Sequence, residues 1–191
     1  MRKTGMTSQR AILRTMETLF VGRSPSPVGP LFLAVSSGGL LRLEFETRRQ
    51  ILNSGIFQWR ESAEAVKPYL RELEEYFAGQ RRRFSFPVDL RGTEFQIKCW
   101  RALLAIPYGE TRSYGDIAQA IGHPQAFRAV GMANNRNPIA IVVPCHRVVA
   151  GDGTLCGYGG GLEVKRQLLE LESGATSFNW QRSCNRASKS A

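Results

Sequence analysis

An apolar run that breaks into reactive residues constrains this chain more than any other feature. Ile139-Ala140-Ile141-Val142-Val143 leads directly into Pro144-Cys145-His146-Arg147, and Val148-Val149 follows. Five consecutive apolar residues ahead of a proline read as a buried strand. A cysteine at the end of such a strand has a fixed backbone and a mobile thiol, and the adjacent histidine can take the thiol proton. The thiolate is the nucleophilic form, so a cysteine with a base at hand is a candidate covalent catalyst. Neighbours along a strand point to opposite sides. Cys145 and His146 are therefore expected to communicate through a water rather than face to face.

Charge narrows the class of partner. The chain carries a net charge of +10 with an isoelectric point near 10.0, which favours a polyanion without identifying one. Residues 1–90 hold 14 basic and 9 acidic side chains, whereas residues 91–173, which contain the reactive segment, hold 9 and 7. Nucleic-acid binding through the second part would rest on few phosphate contacts, with modest salt dependence. Cys99, Cys145, Cys156 and Cys184 show no paired spacing, and the chain has two histidines. Free thiols in a reducing compartment and no structural metal are expected. No apolar run approaches the length of a membrane span.

Turn and cap residues divide the chain. Residues 1–17 form a basic leader, with Arg2, Lys3, Arg10 and Arg14; it reads as disordered, with an organelle transit peptide as the alternative. Residues 18–90 read as a small α/β domain with its linker. Leu31–Val35 and Leu40–Phe45 flank Ser36-Ser37-Gly38-Gly39, the pattern of a β-hairpin. A helix is predicted over Ala63–Phe77, with Pro68 in its first turns and Gly79 just past its end. Arg81-Arg82-Arg83 through Arg91 reads as the link to a second domain. That domain, residues 91–173, is mostly helical, and residues 174–191 form a tail.

Within it, Thr93-Glu94-Phe95-Gln96 has capping-box form, and Phe95, Cys99, Trp100, Leu103 and Leu104 recur at helical spacing. Cys99 thus belongs to the core. Ser113 caps a helix carrying Ile117, Ala118 and Ile121, Gly122-His123-Pro124 breaks it, and another helix covers about Gln125–Asn135. Two short helices around a tight turn read as a helix-turn-helix. The second is small-sided, with Ala126, Ala129, Gly131 and Ala133, and Arg128 is its main charge. This suits close approach to a groove with little base readout.

Four blocks in this order resemble the O6-alkylguanine-DNA alkyltransferases: Tyr108-Gly109-Glu110-Thr111-Arg112-Ser113-Tyr114-Gly115, Arg128-Ala129-Val130-Gly131, Asn137-Pro138 through Val148, and Gly157-Tyr158-Gly159-Gly160-Gly161. The resemblance runs strongly from about Leu90 to Glu172 and loosely from Thr18 to Gly79. It implies an α+β chain: a small N-terminal RNase H-like domain followed by a helical C-terminal domain with a winged helix-turn-helix. It also implies an activity. An O6-alkylguanine, and an O4-alkylthymine, would be flipped out of duplex DNA and its alkyl group passed irreversibly to a cysteine. By resemblance, Cys145 is the nucleophile, His146 its base through water and Glu172 the group that orients His146. Asn137 braces the turn, and Tyr114 donates a proton toward the departing base. Arg128 fills the gap in the duplex, Tyr158 walls the base, and Gly159 offers a backbone donor where some members carry serine. Val148 and Gly131 fall at substrate and DNA positions. Phe127 departs from the small residue frequent before the finger arginine, and Cys156 reads as a spectator thiol.

The expected partner is double-stranded DNA containing alkylated guanine, met by a monomer with no cofactor, metal or membrane. The expected location is intracellular, in the cytoplasm of a prokaryote or the nucleus of a eukaryote. One alternative is a non-enzymatic binder of alkylated DNA, of the alkyltransferase-like type, against which Cys145 itself argues. Another is a cysteine hydrolase, which would need an oxyanion hole that nothing in the chain requires.

Overall fold

The computed structural model describes residues 16–46 and 57–174. The basic leader up to residue 15, Cys184 and the tail beyond Gly174 lie outside the described residues.

The first part is a four-stranded sheet with one helix on it. The strands are β1 (Glu17–Ser24), β2 (Leu31–Ser36), β3 (Gly39–Phe45) and β4 (Phe57–Glu61), followed by α1 (Ala63–Phe77). They lie in the order β3-β2-β1-β4; β1–β2 and β2–β3 are antiparallel and β1–β4 is parallel. The hairpin and α1 fall where turn and cap residues predict them. Ser62 caps α1 by accepting from the Ala65 amide, and Gly79 at φ 72° ends it, with the Gln80 amide donating back to the Glu75 carbonyl. The strand β4 alternates half-buried Phe57 and Trp59 with exposed Gln58 and Arg60, a period-2 pattern too short to stand out in the sequence.

The edge of β3 is not left open, as an unpaired row of amides and carbonyls would be. The Pro87 carbonyl accepts from the Leu40 amide and the Asp89 amide donates to the Leu40 carbonyl, while the Pro138 carbonyl accepts from the Leu43 amide and the Ala140 amide donates to the Leu43 carbonyl, which sets Val88 opposite Leu40 and Ile139 opposite Leu43. The linker is thus part of the sheet edge as well as a connection.

The second part holds α2 (Glu94–Leu104), β5 (Arg112–Ser113), α3 (Tyr114–Ala120), α4 (Phe127–Asn135), β6 (Val148–Val149) and α5 (Leu162–Ser173). Capping boxes start α2 at Thr93/Gln96 and α3 at Ser113/Asp116. α3 and α4 form the helix-turn-helix, and α2 packs on both. The indole of Trp100 in α2 donates to the Ala133 carbonyl at 3.0 Å, fixing the C-terminal end of α4. The parallel pair β5–β6 sets Arg112 beside Val148 and Ser113 beside Val149, which brings the start of α3 next to the segment after Arg147.

The expected strand over Ile139–Val143 does not form. Ile139 makes one bridge to β3, then the chain turns sharply: Ile141 sits at φ 70° and the Val142 amide donates to the Ala140 carbonyl. A second tight turn joins the Cys145 amide to the Val143 carbonyl, and Cys145–Arg147 is one turn of 3-10 helix. Ile139, Ile141, Val142 and Val143 are all buried, so burial was read correctly and its geometry was not. Burial on all sides satisfies an apolar run in any conformation, and the single bridge leaves the rest of the run free to turn. One core spans both parts, from Leu33 and Leu43 through Tyr76 and Trp100 to Val143 and Leu168.

Gly39 turns the hairpin at φ 122°, and a Cβ there would lie 2.3 Å from the Pro87 carbonyl oxygen. Gly79 also has positive φ but meets nothing within 4 Å. Gly39→Ala should therefore lower the thermal midpoint clearly more than Gly79→Ala. The latter bears only a left-handed backbone cost of about 1–2 kcal/mol. Equal losses in the two variants would contradict the close approach of linker and hairpin.

Candidate active site

The site is assembled from the turn at Cys145, the end of α4 and the inner face of α5. Along α5, Lys165, Leu168, Leu169 and Glu172 are buried, spaced i, i+3, i+4 and i+7. Two charged residues thus stand on a stripe that is otherwise leucine.

Glu172 is 5% exposed and fully used. One carboxylate oxygen accepts from the Tyr76 hydroxyl at 2.7 Å, from His146 Nε2 at 2.8 Å and from Arg147 Nη2 at 2.9 Å. The other accepts from Arg147 Nε at 2.7 Å and from the Gly109 amide at 3.3 Å. Burial pushes the Glu172 carboxyl up, but the bonds and charges of His146 and Arg147 outweigh it and hold it well below the ordinary carboxylate range. Tyr76 is pushed above its usual value by burial and by Glu172, so it stays a donor. Arg147 spends its remaining reach on the Ile106 carbonyl, at 2.6 Å, at the end of α2.

His146 is fully buried. Burial lowers its pKa from the ordinary 6.5, against the opposing pull of Glu172, so the ring is neutral at neutral pH. A carboxylate on Nε2 selects the tautomer with its hydrogen there. Nδ1 is then the acceptor, and it makes no hydrogen bond with the described residues.

Cys145 is 7% exposed. The Asn137 amide nitrogen donates to its sulfur at 3.1 Å and to the Val143 carbonyl at 2.8 Å, while Asn137 Oδ1 accepts from the Ile139 amide at 3.0 Å. One side chain therefore closes the turn on both sides and aims a donor at the sulfur, which favours its anionic form. A sulfur held by an asparagine and a buried histidine held by a carboxylate thus stand on adjacent residues of one turn, an arrangement able to activate a thiol.

Cys145 opens on a cavity of about 780 Å³, whose wall includes Tyr158, Gly159, Gly160, Asn137, Asn134 and Trp100. Tyr158 packs edge-on to both His146 and Phe45. Gly160 lies so close to Phe45 that a Cβ would come within 2.7 Å of its ring. The other expected residues stand off this wall. Tyr114 packs beside Gly131 and its hydroxyl donates to the Cys156 carbonyl at 3.3 Å. Val148 is fully buried in β6, and Arg128 is exposed on α4.

Three participants escape sequence reading. Tyr76 and Arg147 reach Glu172 through tertiary structure alone. Lys165 is fully buried and donates to the Val148 carbonyl at 2.6 Å and the Cys156 carbonyl at 2.8 Å. Burial brings its pKa down to about 8, while the nearby sulfurs of Cys145 and Cys156 favour the charged form. Its signal was present in the sequence: it stands seven residues before Glu172, in phase with Leu168 and Leu169. No group of His, Cys, Asp and Glu suited to a metal occurs among the described residues.

Comparison with known proteins gives a consistent result. The family model of the 6-O-methylguanine DNA methyltransferase ribonuclease-like domain matches residues 19–90, and that of the DNA binding domain of the same family matches residues 94–174. The methylated-DNA–protein-cysteine methyltransferase of Mycobacterium leprae is 52% identical over 147 residues, covering 77% of this chain and 88% of that protein. Its counterpart in Methanosarcina acetivorans is 50% identical over 147 residues, covering 77% and 94%. Among solved structures, Mycobacterium tuberculosis OGT in complex with DNA aligns with a TM-score of 0.75 at 49% identity, covering 81% of this chain and 93% of that one. The O6-methylguanine-DNA methyltransferase of Pyrococcus kodakaraensis aligns at 0.55 and 30% identity, covering 81% and 98%.

The two lowered pKa values act on stability in the same sense. Below about pH 6.5 the unfolded chain protonates His146 while the folded chain resists, and below about 4.5 the same holds for Glu172. Resistance to chemical denaturation should fall as pH drops from 7 to 5 and fall further below 4.5. A flat profile across pH 5–7 in wild type, matching that of His146→Gln, would contradict a buried neutral histidine.

Proposed function

The chain belongs to the 6-O-methylguanine DNA methyltransferase family, and from this we infer that it repairs O6-alkylguanine in DNA by moving the alkyl group to its own Cys145. The observation that carries the role of Cys145 is its sulfur, held by Asn137 on a cavity wall in the same turn as a buried, neutral His146.

In this reading His146 takes the thiol proton at Nδ1 through a water, and Glu172 holds the ring and steadies the imidazolium that forms. The sulfur attacks the saturated alkyl carbon, a C–S bond forms and the C–O6 bond breaks. The electron pair stays on the guanine, which is protonated as it leaves. Tyr114 exchanges its bond to the Cys156 carbonyl for one to the leaving base. Tyr158 and the glycine backbone around Gly159 wall the base. α3 and α4 meet the duplex, with Arg128 filling the gap and Gly131 allowing close approach. Val148 acts through its backbone, which Lys165 ties to Cys156. A protein that only bound alkylated DNA would have no use for an activated thiol here.

The product is a thioether. Unlike a thioester it has no carbonyl for water to attack, so the second, releasing step of covalent catalysis is missing. Titration of the protein with excess O6-methylguanine duplex should plateau at one methyl group per chain, and intact-mass and peptide analysis should place it on Cys145. Turnover beyond one equivalent, or a methyl group on another cysteine, would overturn the reading.

A further inference from the structure

We propose, on the repair reading above, that Phe127 is a second wedge. It would enter the base stack of duplex DNA beside the gap that Arg128 fills, and so help to open the stack around the lesion.

The inner face of α4 is spoken for, since Val130, Ala133 and Asn134 are buried. Its outer face is unusual for a soluble helix, because Phe127 is 48% exposed and Met132 is 60% exposed. Arg128, Met132 and Arg136 follow one another at i, i+4 and i+8, with Phe127, Gly131 and Asn135 in the neighbouring row. Ala129 and Gly131 are small, so the middle of the helix can approach a groove closely while Phe127 projects from its first turn. The Arg128 guanidinium lies 5.8 Å from the centre of the Phe127 ring. That distance is in the range of a cation–π contact, which holds the two side chains together before DNA arrives.

Two rings of chemistry separate these neighbours. A guanidinium can hydrogen-bond the bases around a gap, but it replaces little of the stacking lost when a nucleotide leaves. A benzyl ring can replace it, since it is flat, apolar and indifferent to sequence. Apolar side chains that enter a base step unstack it and kink the duplex. Phosphates offer such a ring nothing. The part of duplex DNA that rewards its burial is therefore the stack, and this helix is the one that faces it.

The test uses the full chain with a duplex that carries O6-methylguanine and a fluorophore pair at its ends, and the same lesion strand alone. Phe127→Ala should lose about tenfold more rate on the duplex than on the single strand, where no stack needs opening. The bend read by energy transfer should shrink with it. Phe127→Leu, which keeps an apolar wedge, should retain most of both. Equal losses on the two substrates, an unchanged duplex rate or an unchanged bend would overturn the wedge. So would a shift from dimer to monomer in Phe127→Ala at an unaltered duplex rate, which would make this face a protein interface. A wild-type chain that forms no Cys145 adduct on either substrate would sink the repair reading itself, and the bend would still decide the wedge.

Discussion

Glu172 accepts hydrogen bonds from five donors that arrive from separate parts of the chain: Tyr76 in α1, Gly109 before β5, His146, and two nitrogens of Arg147. Each donor alone is modest, a net 0.5–3 kcal/mol or so. Together they compensate the burial of a charge that would otherwise be intolerable. Removing one member leaves another stranded; an unpaired Arg147 or Glu172 at this depth costs about 3–5 kcal/mol. The same carboxylate therefore fixes how α5 sits on the Cys145–Arg147 turn, how the N-terminal helix α1 meets the second part of the chain, and which nitrogen of His146 carries a hydrogen. In the proposed repair reaction, stability and chemistry share one group.

The reactive turn depends on the sheet in a different way. Pro138, Ile139 and Ala140 are held against Leu43, so the turn that follows starts from an edge that cannot drift. Ile141 then takes a backbone conformation that β-branched residues avoid, at φ 70°. Strain of this kind persists where the surroundings over-determine it. Here Asn137 binds the Val143 carbonyl and the Cys145 sulfur, and neighbours bury the isoleucine. The result is a cysteine presented from a tight turn instead of the end of a strand.

Much of the scaffold was legible because it is written in local chemistry. Ser62, Thr93 and Ser113 start helices by satisfying amides, Gly79 ends one, and Ser36–Gly39 turns a hairpin, all within a few residues of their signals. The apolar run at Ile139–Val143 gave burial but misled on conformation, since five buried residues without alternation fit a strand or a knot of turns equally well. Among the site residues, Cys145, His146, Asn137 and Glu172 do lie together, but only the resemblance pointed to Glu172, which by sequence is one acid at a helix end. Tyr76 was 96 residues away from its partner and carried no local mark. Arg147 was visible in the motif yet without a role, because its three bonds run to α2 and α5. Lys165 could have been found by asking why a charge keeps the leucine phase of α5.

Burial keeps His146 neutral, and Glu172 selects the tautomer with its hydrogen on Nε2, which leaves Nδ1 to accept. Nitrogen NMR of the imidazole in folded protein labelled at histidine reads this directly. At pH 7 the His146 signals should show a protonated Nε2 and an unprotonated Nδ1, and that pattern should persist on acidification past pH 6.5. An imidazolium at pH 7, or the hydrogen on Nδ1, would contradict the account.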